Sequence, residues 1–272
     1  MKRGNMALAA IAAVTGLCTS AHAQDWTNAG GNAGRNGQTP QRGPESATTI
    51  WTGAPSSIIS WQPVTDGATV YAVRQTGFPP EPSSNLSPIF ALDVETGAQK
   101  WRKDIPFLTG QWTTWVGGVK NGRVYASRSG NGASVNARVF CLDAATGAEL
   151  WQSDDTVNAG AYDGVVFADN GDPVIADFNR ITRLDHATGD TLWRVNRVCS
   201  VSSSCGGAIF GDAIYVADAV VGGHAIKKFS LATGALLYQS PVMAGFTLQN
   251  TPMVAPGLIR RSTLEHSTLA HD

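Results

Sequence analysis

IFALDVETGAQKW, the stretch from Ile89 to Trp101, returns three times along the chain, as VFCLDAATGAELW (Val139 to Trp151), ITRLDHATGDTLW (Ile181 to Trp193) and IKKFSLATGALLY (Ile226 to Tyr238). All four copies share a Thr-Gly pair, and the glycines Gly97, Gly147, Gly189 and Gly234 stand 50, 42 and 45 residues apart. Apolar side chains precede each glycine: Ile89, Val139, Ile181 or Ile226, then Leu92, Leu142, Leu184 or Phe229. Asp93, Asp143 and Asp185 follow the leucines, with Ser230 in the last copy. An aspartate that bonds the backbone two residues on, followed by a glycine free to take positive φ, is a hairpin turn with a mechanism. A large ring, Trp101, Trp151, Trp193 or Tyr238, then opens the return strand.

Upstream of each hairpin lies a second recurring phrase: DGATVYA (Asp66 to Ala72), NGRVYA (Asn121 to Ala126), NGDPVIA (Asn170 to Ala176) and GDAIYVA (Gly211 to Ala217). Asp-Gly or Asn-Gly running into alternating β-branched and aromatic residues reads as a tight turn entering a strand. Each unit therefore holds four antiparallel strands, and this spacing predicts an all-β chain, a β-propeller of four-stranded blades.

Ala91-x-Asp93-x-x-Thr96-Gly97-x-x-x-Trp101 resembles the tryptophan-docking motif of the pyrroloquinoline-quinone (PQQ) repeat family, which includes quinoprotein dehydrogenases and non-enzymatic relatives of the outer-membrane barrel-assembly lipoprotein. The resemblance spans roughly residues 47 to 257 and implies a quinoprotein-dehydrogenase-like propeller. It implies that Trp101, Trp151 and Trp193 wedge between neighbouring blades, each beside the Asp and Gly of a turn (Asp93 and Gly97, Asp143 and Gly147, Asp185 and Gly189). The chain departs from the pattern at Arg183 and Lys228, where Ala91 and Cys141 are small, and at Tyr238, which follows Gly234 in place of a tryptophan.

Composition agrees with the strand-rich reading: 30 glycines and 13 prolines supply turns, while charged residues at 15% fall below the ~25% usual in globular chains and leave little for helical ion pairing. A net charge of -1 excludes a basic nucleic-acid surface. Lys2 and Arg3, the apolar run Met6 to Leu17 and the Ala21-His22-Ala23 site predict a signal peptide over 1–23, cleaved before Gln24, and a periplasmic or secreted product. Cys18 follows the bulky Leu17, which disfavours a lipid anchor. Residues 24–46 read as an irregular, Gly/Asn-rich leader lying across the propeller. Their Gly30-Gly31-x-x-Gly34-x-x-Gly37 pattern lacks the strand and helix that a phosphate loop requires. Ala47 to Trp51 resembles an outer return strand without its own hairpin. Residues 47–257 are the repeats, about four blades plus partial strands. The stretch 258–272 lacks a turn glycine and an aromatic and is expected to be an aberrant tail, as in a truncated or frameshifted product whose propeller is incomplete at the C-terminus. An unclosed edge would invite self-association.

Little chemistry is legible. Cys199 and Cys205, in an exported chain, suggest a loop disulfide, and Cys141 a buried apolar position. No histidine pair has metal spacing. Asp169-Asn170-Gly171-Asp172 offers oxygen ligands but stands in phase with the Asn-Gly turns. Enzymes of the PQQ family hold quinone and calcium in the channel, with an aspartate base and, in many members, a disulfide between adjacent cysteines; none of these can be matched to positions here. The preferred expectation is a non-catalytic binding or scaffold module for protein or extracellular polymer, without cofactor, metal ligand or transmembrane segment. Trp112 and Trp115, beside Gly117 and Gly118 on an inner strand, are its candidate binding rings. A PQQ- and calcium-dependent dehydrogenase fragment and a purely structural extracellular protein are the alternatives.

Overall fold

In the computed structural model the described residues are 26–40, 46, 48–53, 62–73, 87–106, 111–130, 135–158, 164–199, 206–243, 251–261 and 268–270. Four successive meanders each make one antiparallel sheet. The first holds β1 (Val64–Thr65), β2 (Thr69–Val73), β3 (Ile89–Asp93) and β4 (Gln99–Lys103). The second holds β5 (Gln111–Lys120), β6 (Arg123–Gly130), β7 (Asn136–Asp143) and β8 (Glu149–Asn158). The third holds β9 (Val165–Phe167), β10 (Pro173–Ala176), β11 (Arg180–Leu184) and β12 (Thr191–Asn196), and the fourth β13 (Ala208–Phe210), β14 (Ala213–Val220), β15 (Gly223–Ser230) and β16 (Leu236–Gln239). A three-stranded sheet follows, with β17 (Pro252–Ala255), β18 (Leu258–Arg261) and β19 (Thr268–Ala270). The last two strands lie in the stretch expected to be an aberrant tail. There Ile259 pairs Leu269 and Leu258 pairs Ala270 in antiparallel register.

The turns form for the reasons their residues imply. Asp93 Oδ1 accepts from the amides of Glu95 and Thr96 and from the Thr96 hydroxyl, and the Gly97 amide closes on Asp93 O with Gly97 at φ 69°. The same bonds recur at Asp143 to Gly147. Each Thr-Gly turn also carries a register shift into its return strand, as between Ala91 and Leu92, so the residue after the bulge faces the opposite side from strict alternation.

The core lies in the seams between sheets. Val64, Tyr71, Ile89 and Trp101 of the first sheet pack with Val116, Val124, Phe140 and Leu142 of the second. Comparable clusters join the second sheet to the third, the third to the fourth, and the fourth to Val254 of the fifth. Interior strands are accordingly buried on both faces, as in β10, whereas β2 alternates buried Tyr71 with half-buried Val70 and Ala72. The first sheet is thus one end of an open arc, and among the described residues no strand pairing joins it to the fifth.

The first strands of successive sheets converge: β1 touches β5, β5 touches β9, β9 touches β13 and β13 touches β17. They ring the axis of the arc. Residues 26–38 cross this ring as a turn-rich loop, with Trp26 bridging Thr65 and Asn28 bridging Gly118.

Candidate functional site

Three groups of residues carry the arrangement. The first is the ring-to-turn contact. Trp101 Nε1 donates to Ala144 O (2.8 Å), Trp151 Nε1 to His186 O (3.0 Å) and Trp193 Nε1 to Leu231 O (2.8 Å), so each ring reaches the turn of the following sheet. The acceptor in every case is the residue after the turn's Asp or Ser. The turn glycine leaves the space: a Cβ on Gly147 would lie 2.7 Å from the Trp101 ring, on Gly189 2.5 Å from Trp151, and on Gly234 2.8 Å from Trp193. Trp51 does the same to the first sheet, donating to Val94 O (2.8 Å) over Gly97, although residues 48–53 form no strand. Tyr238 occupies the equivalent register, opposite Lys228, but is 53% exposed and meets no such turn among the described residues.

The second group sits where the small residue of the motif is replaced by Arg183. Its guanidinium donates to Asp172 Oδ2 through Nε (3.0 Å) and Nη2 (2.7 Å), and through Nη1 to Leu231 O (2.7 Å), the carbonyl that Trp193 also uses. Asp172 further accepts from the His186 amide, lies 2.7 Å from His186 Nδ1 and accepts from Asn170 Nδ2. Burial works against ionising Asp172, but the bonds from His186, Asn170 and Arg183 outweigh it and hold the carboxyl below its ordinary value. The oxygen-rich turn is therefore consumed by a seam network. Sequence reading missed this network, although the unusual arginine marked its place. A second buried set, Arg197 and Lys227 around Asp218, ties the end of the third sheet to β14 and β15.

The third group is the axial loop. Strap carbonyls accept one inner-strand amide from each of four sheets: Thr65 N to Trp26 O (2.9 Å), Val119 N to Thr27 O (2.8 Å), Ile209 N to Ala33 O (2.8 Å) and Val254 N to Gly34 O (2.9 Å). Asn36 Nδ2 adds a bond to Val254 O (3.0 Å). The Asn28 side chain is fully buried with neither amide atom bonded.

Trp115 corrects an expectation. It is fully buried among Tyr125, Val139, Cys141 and Phe167, in the seam to the third sheet, and offers no ring to the channel. Residue 117, beside it, sits at a bulge between Val116 and Gly118 and must be glycine, because a Cβ there would lie 2.4 Å from Val165. Trp112 lies in β5, and its side chain falls outside the described residues, as does Cys205. Cys199 is disulfide-bonded. Cys141 is free and buried, with its thiol pushed up to about 12 by burial.

Quinone with calcium would need an acidic oxygen set around the axis. Among the described residues no three His, Cys, Asp or Glu side chains are grouped to hold a metal, and the axis is crossed by the chain's own loop. No helix among the described residues is long and apolar enough to cross a membrane.

Radial four-stranded sheets locked ring-to-turn define a β-propeller of PQQ-like repeats. A family model described as outer membrane protein assembly factor BamB matches residues 85–255, and the chain belongs to that family. No curated protein matches it. Among solved structures it is similar to the quinohemoprotein alcohol dehydrogenase of Comamonas testosteroni, at 16% identity and TM-score 0.63 over 90% of this chain and 47% of that one. It is also similar to quinohemoprotein alcohol dehydrogenase ADHIIG of Pseudomonas putida HK5, at 13% identity and TM-score 0.50 over 73% of this chain and 42% of that one. BamB of Moraxella catarrhalis matches at 16% identity and TM-score 0.43 over 75% of this chain and 70% of that one. The likenesses to the two dehydrogenases show the fold alone, and the chain spans about half the length of the Comamonas enzyme.

Proposed function

We propose that the chain is an exported, non-catalytic propeller unit that presents a rigid surface to a protein partner, with outer-membrane protein assembly as the setting suggested by its family. One observation carries this reading: the carboxylates buried among the described residues, Asp172, Asp177 and Asp218, are committed to hydrogen bonds and ion pairs within and between the sheets. Asp172 binds Arg183 and His186 across a seam, and Asp218 binds Arg197 and Lys227. Asp177 accepts from the amides of Asn158, Asn179 and Arg180. None is left as a base beside an open channel. The predicted leader peptide supports export to the periplasm.

The test is pull-down of the purified, tagged chain from a bacterial envelope fraction, with crosslinking before solubilisation. Recovery of outer-membrane assembly components supports the proposal. In parallel, the chain is supplied with PQQ and calcium and assayed for dye-linked alcohol oxidation. Turnover there overturns the non-catalytic reading whatever the pull-down returns.

A further inference from the structure

We infer that the ring of first strands is a peptide-binding site, and that residues 26–36 occupy it as an intramolecular ligand. The inner edges of β1, β5, β13 and β17 carry backbone amides that no neighbouring strand can reach, because each of these strands is the last of its sheet toward the axis. An unpaired edge amide shut away from water costs free energy comparable to a lost hydrogen bond. Thr65, Val119, Ile209 and Val254 each resolve this by donating to a carbonyl of the loop. Four sheets that are not bonded to one another at the axis thereby share one ligand.

The loop has the properties of a preformed ligand, not of a linker laid down wherever space remains. It bonds to itself: Gly31 N to Asn28 O (2.9 Å), Arg35 N to Asn32 O (3.0 Å) and Gly37 N to Gly30 O (3.1 Å), with Asn32 Nδ2 on Asn36 Oδ1 (2.8 Å). Preformed turns lower the ordering cost of binding. Its glycines are steric requirements of the fit. A Cβ at Gly34 would lie 2.8 Å from Val254 O, and one at Gly31 2.8 Å from the Trp26 ring. Ala33 packs against the cluster between the third and fourth sheets. The site thus accepts a compact, glycine-rich peptide loop whose carbonyls point outward toward the strand edges. The inference stands whether or not the chain has a protein partner.

The experiment weakens one end of the ligand in the full chain with Gly34→Val and Asn36→Ala. The added Cβ strikes Val254 O, and the lost amide removes the second bond to the same residue. Hydrogen exchange is followed at the four amides, and a fluorescein-labelled synthetic peptide spanning residues 24–40 is titrated by anisotropy. Exchange at Val254 and Ile209 should quicken at least about tenfold, as expected when contacts worth about 1.4 kcal/mol or more are lost. The labelled peptide should bind the variant, restore protection and leave the unmodified chain unlabelled. Unchanged protection at all four amides overturns the inference, and so does a variant with exposed amides that ignores the peptide. If the variant does not fold, a protease site inserted between Gln38 and Ser46 carries the test with the loop unaltered. After cleavage, exchange of the loop for labelled peptide supports the site. Loss of the loop with the four amides still protected refutes it.

Discussion

Trp101→Ala should cost about 3 to 5 kcal/mol, the range for deleting a large buried ring. Trp101 is 7% exposed, its ring lies over Gly147 and 5.9 Å from the Tyr71 ring, and its Nε1 donates to Ala144 O. Trp101→Phe separates the terms. It keeps most of the ring and removes only the donor to Ala144 O, so about 1 kcal/mol is expected. The remaining 2 to 4 kcal/mol of the alanine effect then belongs to packing in this seam. Gly147→Ala supplies the cross-check. Its φ of 71° costs about 1 to 2 kcal/mol for any L side chain, and the new Cβ also meets the Trp101 ring at 2.7 Å. Combined with Trp101→Ala the steric part vanishes, so the double variant should be less destabilised than the sum of the singles by 1 kcal/mol or more. Urea unfolding followed by far-UV circular dichroism measures all four chains. Additive effects would mean that the ring does not sit on the glycine. A Trp101→Ala effect within about 0.5 kcal/mol of wild type, as expected for exposed Tyr238→Ala, would refute the docking assignment altogether.

Tyr125 and Tyr71 hold the same place in successive sheets with opposite hydroxyl environments. Tyr71 donates to Asp66 Oδ2 (2.7 Å), whereas the buried Tyr125 hydroxyl has no partner. Tyr125→Phe should therefore be neutral or stabilising, and Tyr71→Phe should cost about 1 to 2 kcal/mol in the same urea titration. The Asp172 carboxyl is held below its ordinary value, so its contribution is present above the unfolded value of about 4 and is lost as pH falls through the folded one. Acid titration of stability should show a drop in this window that Asp172→Asn abolishes, at the cost of lower stability at neutral pH. An unchanged acid limb in the variant would remove Asp172 from the seam. Cys141, pushed up to about 12 and fully buried, should react with a disulfide reagent at pH 8 only once denaturant is added. Rapid labelling of the native chain would show that its seam opens.

The repeat was legible because its parts are local. Asp93, Thr96 and Gly97 make their turn within five residues, and the ring that follows is placed by the same bulge each time. Which turn each ring meets was not legible, since Trp101 bonds a residue 43 positions ahead through a carbonyl that any side chain would supply. Trp115 misled for a related reason. Its place on an inner strand suggests a ring on the channel wall, but the seam to the third sheet encloses it. Gly257 to Ile259 reads as the start of a strand in a further unit, but its partner β19 was not legible, because the stretch before Leu269 lacks the turn glycine on which the other repeats rely.

The axial loop is the extreme of this difficulty. Its recognition is almost wholly backbone to backbone, so the residues it touches, Thr65, Val119, Ile209 and Val254, share no chemical type. What a sequence can record of such contact is only the steric condition that lets two backbones approach, and that condition is glycine at the points of closest passage. Gly34 meets it, with a Cβ there lying 2.8 Å from Val254 O, and so does Gly118, where a Cβ would lie 2.9 Å from Thr27 O. The Gly30-Gly31-x-x-Gly34-x-x-Gly37 pattern therefore resembles a phosphate cradle for a physical reason, since both need a backbone that its hydrogen-bonding partner can approach closely. The difference lies in the direction of the bonds. A phosphate cradle turns its own amides toward the ligand, whereas here the loop presents carbonyls and the surrounding strands supply the amides. Replacing Gly118 with alanine should accordingly displace the loop from β5 first, quickening exchange at Val119 before Val254, an order that a merely disordered leader would not produce.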